Sequence, residues 1–476
     1  MVKTDVIIIG AGLLGCFTAR NLMRYPLDVL VLEQEADVCR GISKANTGII
    51  YPGYDQKPGS EKGKLCVQAN ETFDRLCEEL DVPFVRPGSL MIAYGPRADG
   101  KIQKKFRDGR EGGVKGLRLL RGREAEELEP ELAKGITSAL YAENTGTLDP
   151  WELCIAAYEN AVANGAKFRF GSRVEAIKRQ PGGFVVETQR ESFEASVVVN
   201  AAGLSSDQVR ELVEKPRLRL YPTAADYIVL DKAARGTVEH IIFHEGEDGK
   251  GLTLVPTIDG NLLIGPTTRE PSKEELAARD MRVTAEGLET LKSLCKAVVP
   301  GLDLSLQIRT YGSMRPNPWP VTEKDGTILR EEKSLKDFKL LEEDGLFSLI
   351  GIKTPGLTFS NELGKLVADK AAAWLNRTAF RTDFDPVRKG ILRARDLSAE
   401  AWAEKIAADP GYGEVICACM NVTRAEIRQA IARGASDYEG IRRRTGMGMG
   451  HCQGSRCRRR VLDCLAQDRR QKDQTP

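Results

Sequence analysis

Residues 5–33 constrain the fold more than any other stretch of this chain. Asp5-Val6-Ile7-Ile8-Ile9 is a β-branched run of the kind that forms a parallel strand buried on both faces. It leads directly into Gly10-Ala11-Gly12-Leu13-Leu14-Gly15, and then into a helical pattern marked by Ala19 and Leu22. In such a unit Gly10 permits the tight turn, Gly12 lets the backbone approach a pyrophosphate, and Gly15 lets the helix pack closely on the strand. The helix N-terminus, with Leu13 and Leu14 in its first turn, offers free N–H groups and a positive dipole end to the phosphates. A second apolar strand over 28–32 ends in Glu33, 23 residues after Gly10, where a carboxylate is expected to meet a ribose hydroxyl. Strand, glycines, helix and terminal acid together predict an α/β fold with a Rossmann-type dinucleotide site.

The rest of the chain is large enough to surround such a site. Its 476 residues leave room for about three domains of the usual size. With 41% hydrophobic and 29% charged residues it has the composition of a soluble globular protein. A net charge of +2 argues against a nucleic-acid partner, which would call for a large basic excess. No segment has the apolar length of a membrane span, which leaves peripheral contact as the one form of membrane association open to it. The apolar run before Phe17 lacks a small-residue cleavage site and reads as a buried strand, not a signal peptide, so a cytoplasmic protein is expected. Eleven cysteines beside three histidines do not form a secreted disulfide framework. They also leave little material for histidine-based catalysis.

Three later segments favour FAD over NAD. Ser43-Lys44-Ala45-Asn46-Thr47-Gly48 is a polar, small-residue stretch suited to wrapping a second cofactor half. The run 195–203 is a buried strand ending in Asn200-Ala201-Ala202-Gly203. Strand 346–350 enters Gly351-Ile352-Lys353-Thr354-Pro355-Gly356-Leu357-Thr358 and then a helix, a unit able to close the sheet around a flavin ring. Lys353 there either stabilises negative charge at the flavin N1/C2 edge or is a solvated loop lysine.

Residues 1 to about 380 resemble the FAD-dependent oxidoreductases of the D-amino-acid-oxidase-like superfamily, in particular its glycerol-3-phosphate dehydrogenase and L-2-hydroxyglutarate dehydrogenase branches. The segments that carry the resemblance are GAGLLG (10–15), SKANTGIIYPGY (43–54), VVVNAAG (197–203), IDGNLLIGP (258–266), YGSMRP (311–316) and GIKTPGLT (351–358). The resemblance implies an interrupted Rossmann-type FAD domain over about 1–80, 150–210 and 335–380. A β-sheet substrate domain would be interleaved over about 81–149 and 211–334, the whole spanning 1–385. It implies cofactor contacts at Gly10, Gly12, Leu13, Leu14, Gly15, Glu33, Ser43, Lys44, Asn46, Thr47, Val174, Ala202, Gly203, Gly351, Ile352, Lys353, Gly356, Leu357 and Thr358.

The same resemblance places Arg315 on the anionic group of the substrate, a task suited to the planar donor fork of guanidinium. Read by itself, Arg315 is a surface residue in a proline-rich turn. Oxidation of an alcohol also calls for a base. The related branches commonly carry a histidine in the loop corresponding to 50–53, where this chain has Tyr51. His240 and His244 lie on one face of a strand-like run, which is either solvated or supplies the base as His244. Tyr51, Tyr227 and Lys353 are the other candidates, and an amine substrate would need no dedicated base.

After a linker over 386–412, ending in Asp409-Pro410-Gly411-Tyr412-Gly413, the chain changes character. Cys417-x-Cys419 is followed, after 32 intervening residues, by Cys452-x4-Cys457. Between them Thr423 and Glu426 form a capping box, Ser436 and Glu439 are expected to open a second helix, and a glycine-rich run delivers Cys452. Cys457 then starts a last helix bearing Val461, Leu462 and Leu465. Four thiolates so held bind Zn²⁺ or an iron–sulfur cluster. The pattern resembles the bacterioferritin-associated-ferredoxin-like domain over 413–470, which implies a [2Fe–2S] cluster on Cys417, Cys419, Cys452 and Cys457. Arginines 442–444, 456 and 458–460 have three readings: offsetting the cluster's charge, docking an acidic redox partner, or lying on solvated helix faces.

The expected function is therefore an FAD-dependent dehydrogenase of a small anionic substrate. Glycerol 3-phosphate comes first, L-2-hydroxyglutarate or another 2-hydroxy acid second, and an amine or imino acid third. Electrons would leave through the cluster to a second flavoprotein, a ferredoxin or a quinone-linked subunit. The alternative outside enzymology is an electron-transfer subunit without substrate turnover.

Overall fold

The computed structural model describes residues 2–247, 251–278, 281–324 and 327–473. The chain divides into two compact units, Met1–Pro386 and Val387–Pro476.

The first unit is built on the alternation of its first strand, Val2–Ile9. Val6 and Ile8 enter a core with Cys16, Phe17, Leu153, Leu363 and Val367 from the helices Leu13–Leu22, Pro150–Ala163 and Ser360–Trp374. Ile7 and Ile9 project to the opposite face and meet Ile177 and Phe184 from the antiparallel strands Val174–Gln180 and Gly183–Thr188. Ile7, Ile8 and Phe17 are fully buried, each contributing about 1.5–3 kcal/mol relative to exposure. A strand apolar on both faces can sit only at the centre of a covered sheet. It does so, pairing in parallel with Ser192–Asn200 on one side and Val29–Leu32 on the other.

Register decides what this sheet can hold. Ile9 lies opposite both Asn200 and Leu32, Leu32 opposite Arg169, and Asn200 opposite Ser348 of the strand Leu346–Ile350. The parallel strands therefore end on one line. Gly10, Glu33, Ala201 and, a little further on, Gly351 all emerge at the same edge, which is where open α/β sheets bind their ligands.

A second, eight-stranded sheet completes the unit, in the order Gln307–Arg315, Thr223–Leu230, Leu262–Ile264, Leu252–Pro256, Ile241–Glu245, Ser89–Ala93, Ser138–Ala142 and Leu117–Arg121. Ile228, Leu254, Ile264 and Ile242 pack on Leu291, Cys295 and Val298 of the helix Ala285–Val298. The other face presents Tyr227, Ile241 and Val255 to Ile49 and Tyr51. No helix among the described residues is long and apolar enough to cross a membrane.

The second unit is helical around a two-stranded ladder, Val415–Cys417 with Val422–Thr423. Its core joins Ile416, Val422, Ile427, Ile431, Ile441, Met447, Val461 and Leu465. Thr423 and Glu426 form the expected capping box of Arg424–Ala432. The next helix, Tyr438–Thr445, is capped by Asp437, whose carboxylate accepts from the Gly440 amide at 2.6 Å, and not by Ser436. A carboxyl cap one residue closer to the apolar stripe takes the place of the hydroxyl.

Residues 386–412 were expected as a linker, and the structure differs. The segment 387–412 carries the helix Ala399–Ala408 and belongs to the second unit. Ala394, Trp402 and Tyr412 pack on Ala425, and the Trp402 indole donates to the Tyr412 carbonyl at 2.9 Å. The proline–glycine turn Pro410–Gly413 is a bend inside this small core, and burial of the two rings outweighs the turn signal.

Candidate functional site

A cleft of about 780 Å³ opens at the common edge of the parallel strands and runs to the second sheet. Its dinucleotide end follows from local geometry. The helix Leu13–Leu22 begins after Gly12, which has no side-chain cap. The Leu13 amide is steadied by the Ser43 hydroxyl at 3.0 Å. Gly15 lies one layer below, where a Cβ would fall 1.9 Å from the Gly10 carbonyl oxygen, so the helix can approach the turn only without a side chain. Glu33 closes this end, accepting from the Ala11 amide at 2.6 Å and the Glu35 amide at 2.9 Å. Burial raises its pKa, while those backbone donors pull it back.

Gly10, Gly12, Leu13, Leu14, Glu33, Ser43, Asn46, Thr47, Val174, Ala202, Gly203, Ile352, Lys353, Gly356 and Leu357 all line the cleft. Four expected cofactor residues do not. Gly15 is the packing residue just described. Gly351 adopts φ +78° behind the wall, with its Cα turned to Pro318. Thr358 is buried, and its hydroxyl accepts from the Tyr51 amide at 3.0 Å. Lys44 ends the 3₁₀ turn Ile42–Lys44, whose residues point about 120° apart, and its neighbours Ile42 and Ser43 take the cleft side.

The opposite end of the cleft joins both sheets. Tyr51, Tyr227, Met314, Arg315 and Lys353 line it. Tyr227 stacks on Tyr311, ring centroids 4.6 Å apart, and the Tyr311 hydroxyl donates to the Asn46 carbonyl at 2.9 Å. Burial raises the pKa of Tyr51 and of Tyr227, so both are neutral phenols; Tyr51 is hydrogen-bonded with Thr47, and the Tyr227 hydroxyl accepts from Arg315. Arg315 donates to the Thr268 hydroxyl at 3.3 Å. Lys353 donates to Asn317 Oδ1 at 3.0 Å, and its pKa is lowered by burial and then by the charges of Lys62 and Arg315.

His244 is not part of this site. On the strand Ile241–Glu245, Ile241 and Phe243 face Tyr51, with Phe243 stacked 6.0 Å from its ring. Ile242 and His244 face the other way, and His244 packs edge-on against Tyr94 at 5.7 Å. His240 is engaged with Glu129 at 2.7 Å. The two histidines do share one face, but it is the one turned from the cleft. The sequence reading also missed wall residues that lie far apart in the chain, including Arg40, Ser172, Arg173 and Met314. Ser172 and Arg173 follow the strand Lys167–Arg169, whose pairing with Val29–Leu32 was the signal that could have found them.

In the second unit the four expected cysteines converge. Cys419 Sγ lies 3.8 Å from Cys417 Sγ and 3.6 Å from Cys452 Sγ, and Cys457 is buried in the same core. At Gly450 a Cβ would lie 2.7 Å from Cys419 Sγ, so the glycine-rich loop closes on the thiols because it lacks side chains. The Gly448 amide donates to Cys417 Sγ at 3.5 Å. Four soft donors under a backbone N–H fit an iron–sulfur cluster. Arg442, Arg443 and Arg444 are buried and are not solvated helix faces. Arg442 reaches Gln453 Oε1 at 3.2 Å, and Arg444 donates to the Gly440 carbonyl at 3.2 Å. Arg456, Arg458, Arg459 and Arg460 are exposed.

A dinucleotide cleft roofed by a mixed, mostly antiparallel sheet, in a chain that also carries a four-thiol centre, defines a flavin- and iron–sulfur-containing oxidoreductase. The chain belongs to the FAD dependent oxidoreductase (DAO) family, which matches residues 5–370, and residues 415–467 match the BFD-like [2Fe-2S] binding domain. It is 35% identical to a glycerol 3-phosphate dehydrogenase from Caloramator mitchellensis over 98% of this chain and 94% of that protein. It is 26% identical to the anaerobic glycerol-3-phosphate dehydrogenase subunit A1 of Haloferax volcanii, over 97% of this chain and 82% of that one. Its fold matches the FAD-bound L-α-glycerophosphate oxidase of Mycoplasma pneumoniae with a TM-score of 0.72 at 23% identity, over 82% of this chain and 99% of that one. The cofactors are FAD and a [2Fe–2S] cluster, which settles the open choice between zinc and iron at the four cysteines.

Proposed function

We propose that the protein oxidises glycerol 3-phosphate and delivers the electrons, one at a time, to an acidic redox partner. When bound, FAD supplies a two-electron hydride acceptor, and the [2Fe–2S] cluster supplies a one-electron carrier. The dinucleotide end of the cleft, from Gly10 to Ser43 with Glu33, would hold the adenosine and pyrophosphate. Asn46, Thr47 and the Ile352–Leu357 turn would hold the flavin. Arg315 and Lys353 would bind the phosphate of the substrate, and Tyr51 and Tyr227, both neutral phenols, would donate to its hydroxyl oxygens and orient the carbon that gives up hydride.

The observation that carries this reading is the cationic flavin end, where Arg315 and Lys353 reach the cleft with neutral partners, Thr268 and Tyr227 for Arg315 and Asn317 for Lys353. A guanidinium and an ammonium so placed remain available to an anion. The electron route is supported by the exposed Arg456, Arg458 and Arg459 that follow Cys452, and by the partly open Cys419 and Cys452. The relative from Haloferax volcanii, named as a subunit, points the same way. All eleven cysteines are unpaired, which fits a reducing, cytoplasmic setting.

The test is anaerobic bleaching of the bound flavin by glycerol 3-phosphate, L-2-hydroxyglutarate and an imino acid, with wild type beside Arg315→Ala. Glycerol 3-phosphate should bleach wild type fastest. If none of the three bleaches it, the protein is an electron carrier and the proposal is overturned.

A further inference from the structure

Gln453, next to Cys452, holds a backbone conformation that side chains resist. Its φ is +47°, in the left-handed region. The other positive-φ positions of the loop 446–454 are Gly446, Gly448 and Gly454, where that conformation brings no steric strain. A glutamine kept among these glycines points to a task for its side chain. That side chain closes the loop on itself. Its Nε2 donates to the Met449 carbonyl at 3.1 Å and to the Gly450 carbonyl at 2.9 Å, and its backbone amide also donates to the Gly450 carbonyl, at 2.8 Å. Its Oε1 accepts from the buried Arg442 at 3.2 Å. The amide has one orientation here, because a guanidinium can only donate and a carbonyl can only accept.

The clasped residues meet the thiols directly. Gly450 packs so closely on Cys419 that a Cβ there would lie 2.7 Å from its Sγ. A trans peptide sends its N–H opposite to its C=O, so carbonyls bonded to Gln453 turn the Gly450 and His451 amides to the other side of the loop. Hydrogen bonds to the sulfurs and solvent exposure are among the levers that set the potential of an iron–sulfur cluster. We propose that Gln453 is a positioning residue for the [2Fe–2S] cluster. Steadied by Arg442, it holds the Met449 and Gly450 carbonyl dipoles away from the sulfurs and keeps the cluster's potential higher than an unclasped loop would allow.

An anaerobic, dye-mediated redox titration of the full-length holoenzyme tests it, read from the electron paramagnetic resonance signal of the reduced cluster. Gln453→Met keeps the length of the side chain and removes its polar atoms. Its midpoint potential should lie about 59 mV below wild type, the one-electron equivalent of a 10-fold change. Gln453→Glu keeps the bond to Arg442 but sets a carboxylate against two carbonyls, and should fall at least as far. Iron loss from reduced protein to bathophenanthroline should be roughly 10-fold faster in both variants. A side chain that only braced the loop would speed iron loss and leave the potential alone. An unchanged or raised potential in Gln453→Met therefore overturns the proposal, whatever the iron loss. If that variant does not load with iron, Gln453→Asn, which favours the same backbone and falls one methylene short, is read by the same criterion. Neither measurement involves substrate, so failure of glycerol 3-phosphate to bleach the flavin overturns the proposed function and leaves this inference standing.

Discussion

The Tyr51 amide donates to the Thr358 hydroxyl at 3.0 Å, joining two segments 307 residues apart in the chain. The bond ties the loop that carries Tyr51 to the turn that carries Lys353, so both walls of the flavin end share one anchor. Thr358→Val keeps the shape and removes the acceptor, at a cost of about 1 kcal/mol. Flavin should be released several-fold more readily, with the thermal midpoint only slightly lowered. Fluorescence of FAD freed on dilution measures this, and retention equal to wild type would show that the anchor is not needed.

Arg315 offers a second expectation. Loss of a charge-assisted contact to the substrate anion costs about 1.5–3 kcal/mol, so Arg315→Ala should raise KM for glycerol 3-phosphate by roughly 10- to 100-fold. Arg315→Lys should recover part of this, because it restores charge without the planar fork. Steady-state kinetics at fixed acceptor concentration decides it, and an unchanged KM would remove Arg315 from the pocket.

The lysines make the site sensitive to alkali. The pKa of Lys353 lies below the ordinary value of 10.5, through burial first and then the charges of Lys62 and Arg315. Anion affinity should therefore fall as pH rises through that lowered pKa, before a free lysine would deprotonate. Stability runs in the opposite sense. A lowered lysine pKa means that the folded state carries the ammonium at a cost, felt fully below the folded pKa and gone above 10.5. Lys353→Met should thus be more stable than wild type near neutral pH, with the difference closing in alkali. Phosphate titrations and thermal midpoints across the alkaline range check both signs.

The four-cysteine centre is separable from the flavin. Cys452→Ser should abolish the visible iron–sulfur absorption and lower bound iron, while the flavin stays bound and is still bleached by substrate. Cys464→Ser removes a buried thiol outside the set of four and should keep its iron. Iron assay and absorption spectra report the result, and loss of iron in both variants alike would point to general unfolding.

What the sequence could disclose was local. Gly10, Gly12 and Glu33 were legible because one strand, one turn and one helix fix their geometry within 30 residues. The four cysteines were legible because two close pairs leave few alternatives. His244 was not, since periodicity gives two faces of a strand without saying which one meets the cleft. The packing of Ile242 on the helix Ala285–Val298 made that choice from far away in the chain. Arg173 was missed for the same reason, as it enters the wall after the strand Lys167–Arg169, which is set by pairing with Val29–Leu32, and Arg40 reaches the wall from the loop before the turn Ile42–Lys44. The Arg442–Arg444 run left three readings open, of which burial removes the solvated helix face, because composition alone cannot see a carbonyl such as that of Gly440 waiting inside.

The common line on which the parallel strands end also sets an order of events during synthesis. The phosphate turn and Glu33 leave the ribosome more than 300 residues before the strand Leu346–Ile350 and the turn that follows it. Until then the cleft has a floor and no far wall. The cofactor can be captured only once the first unit is all but complete, so FAD is a ligand of the finished sheet and not a seed for its folding.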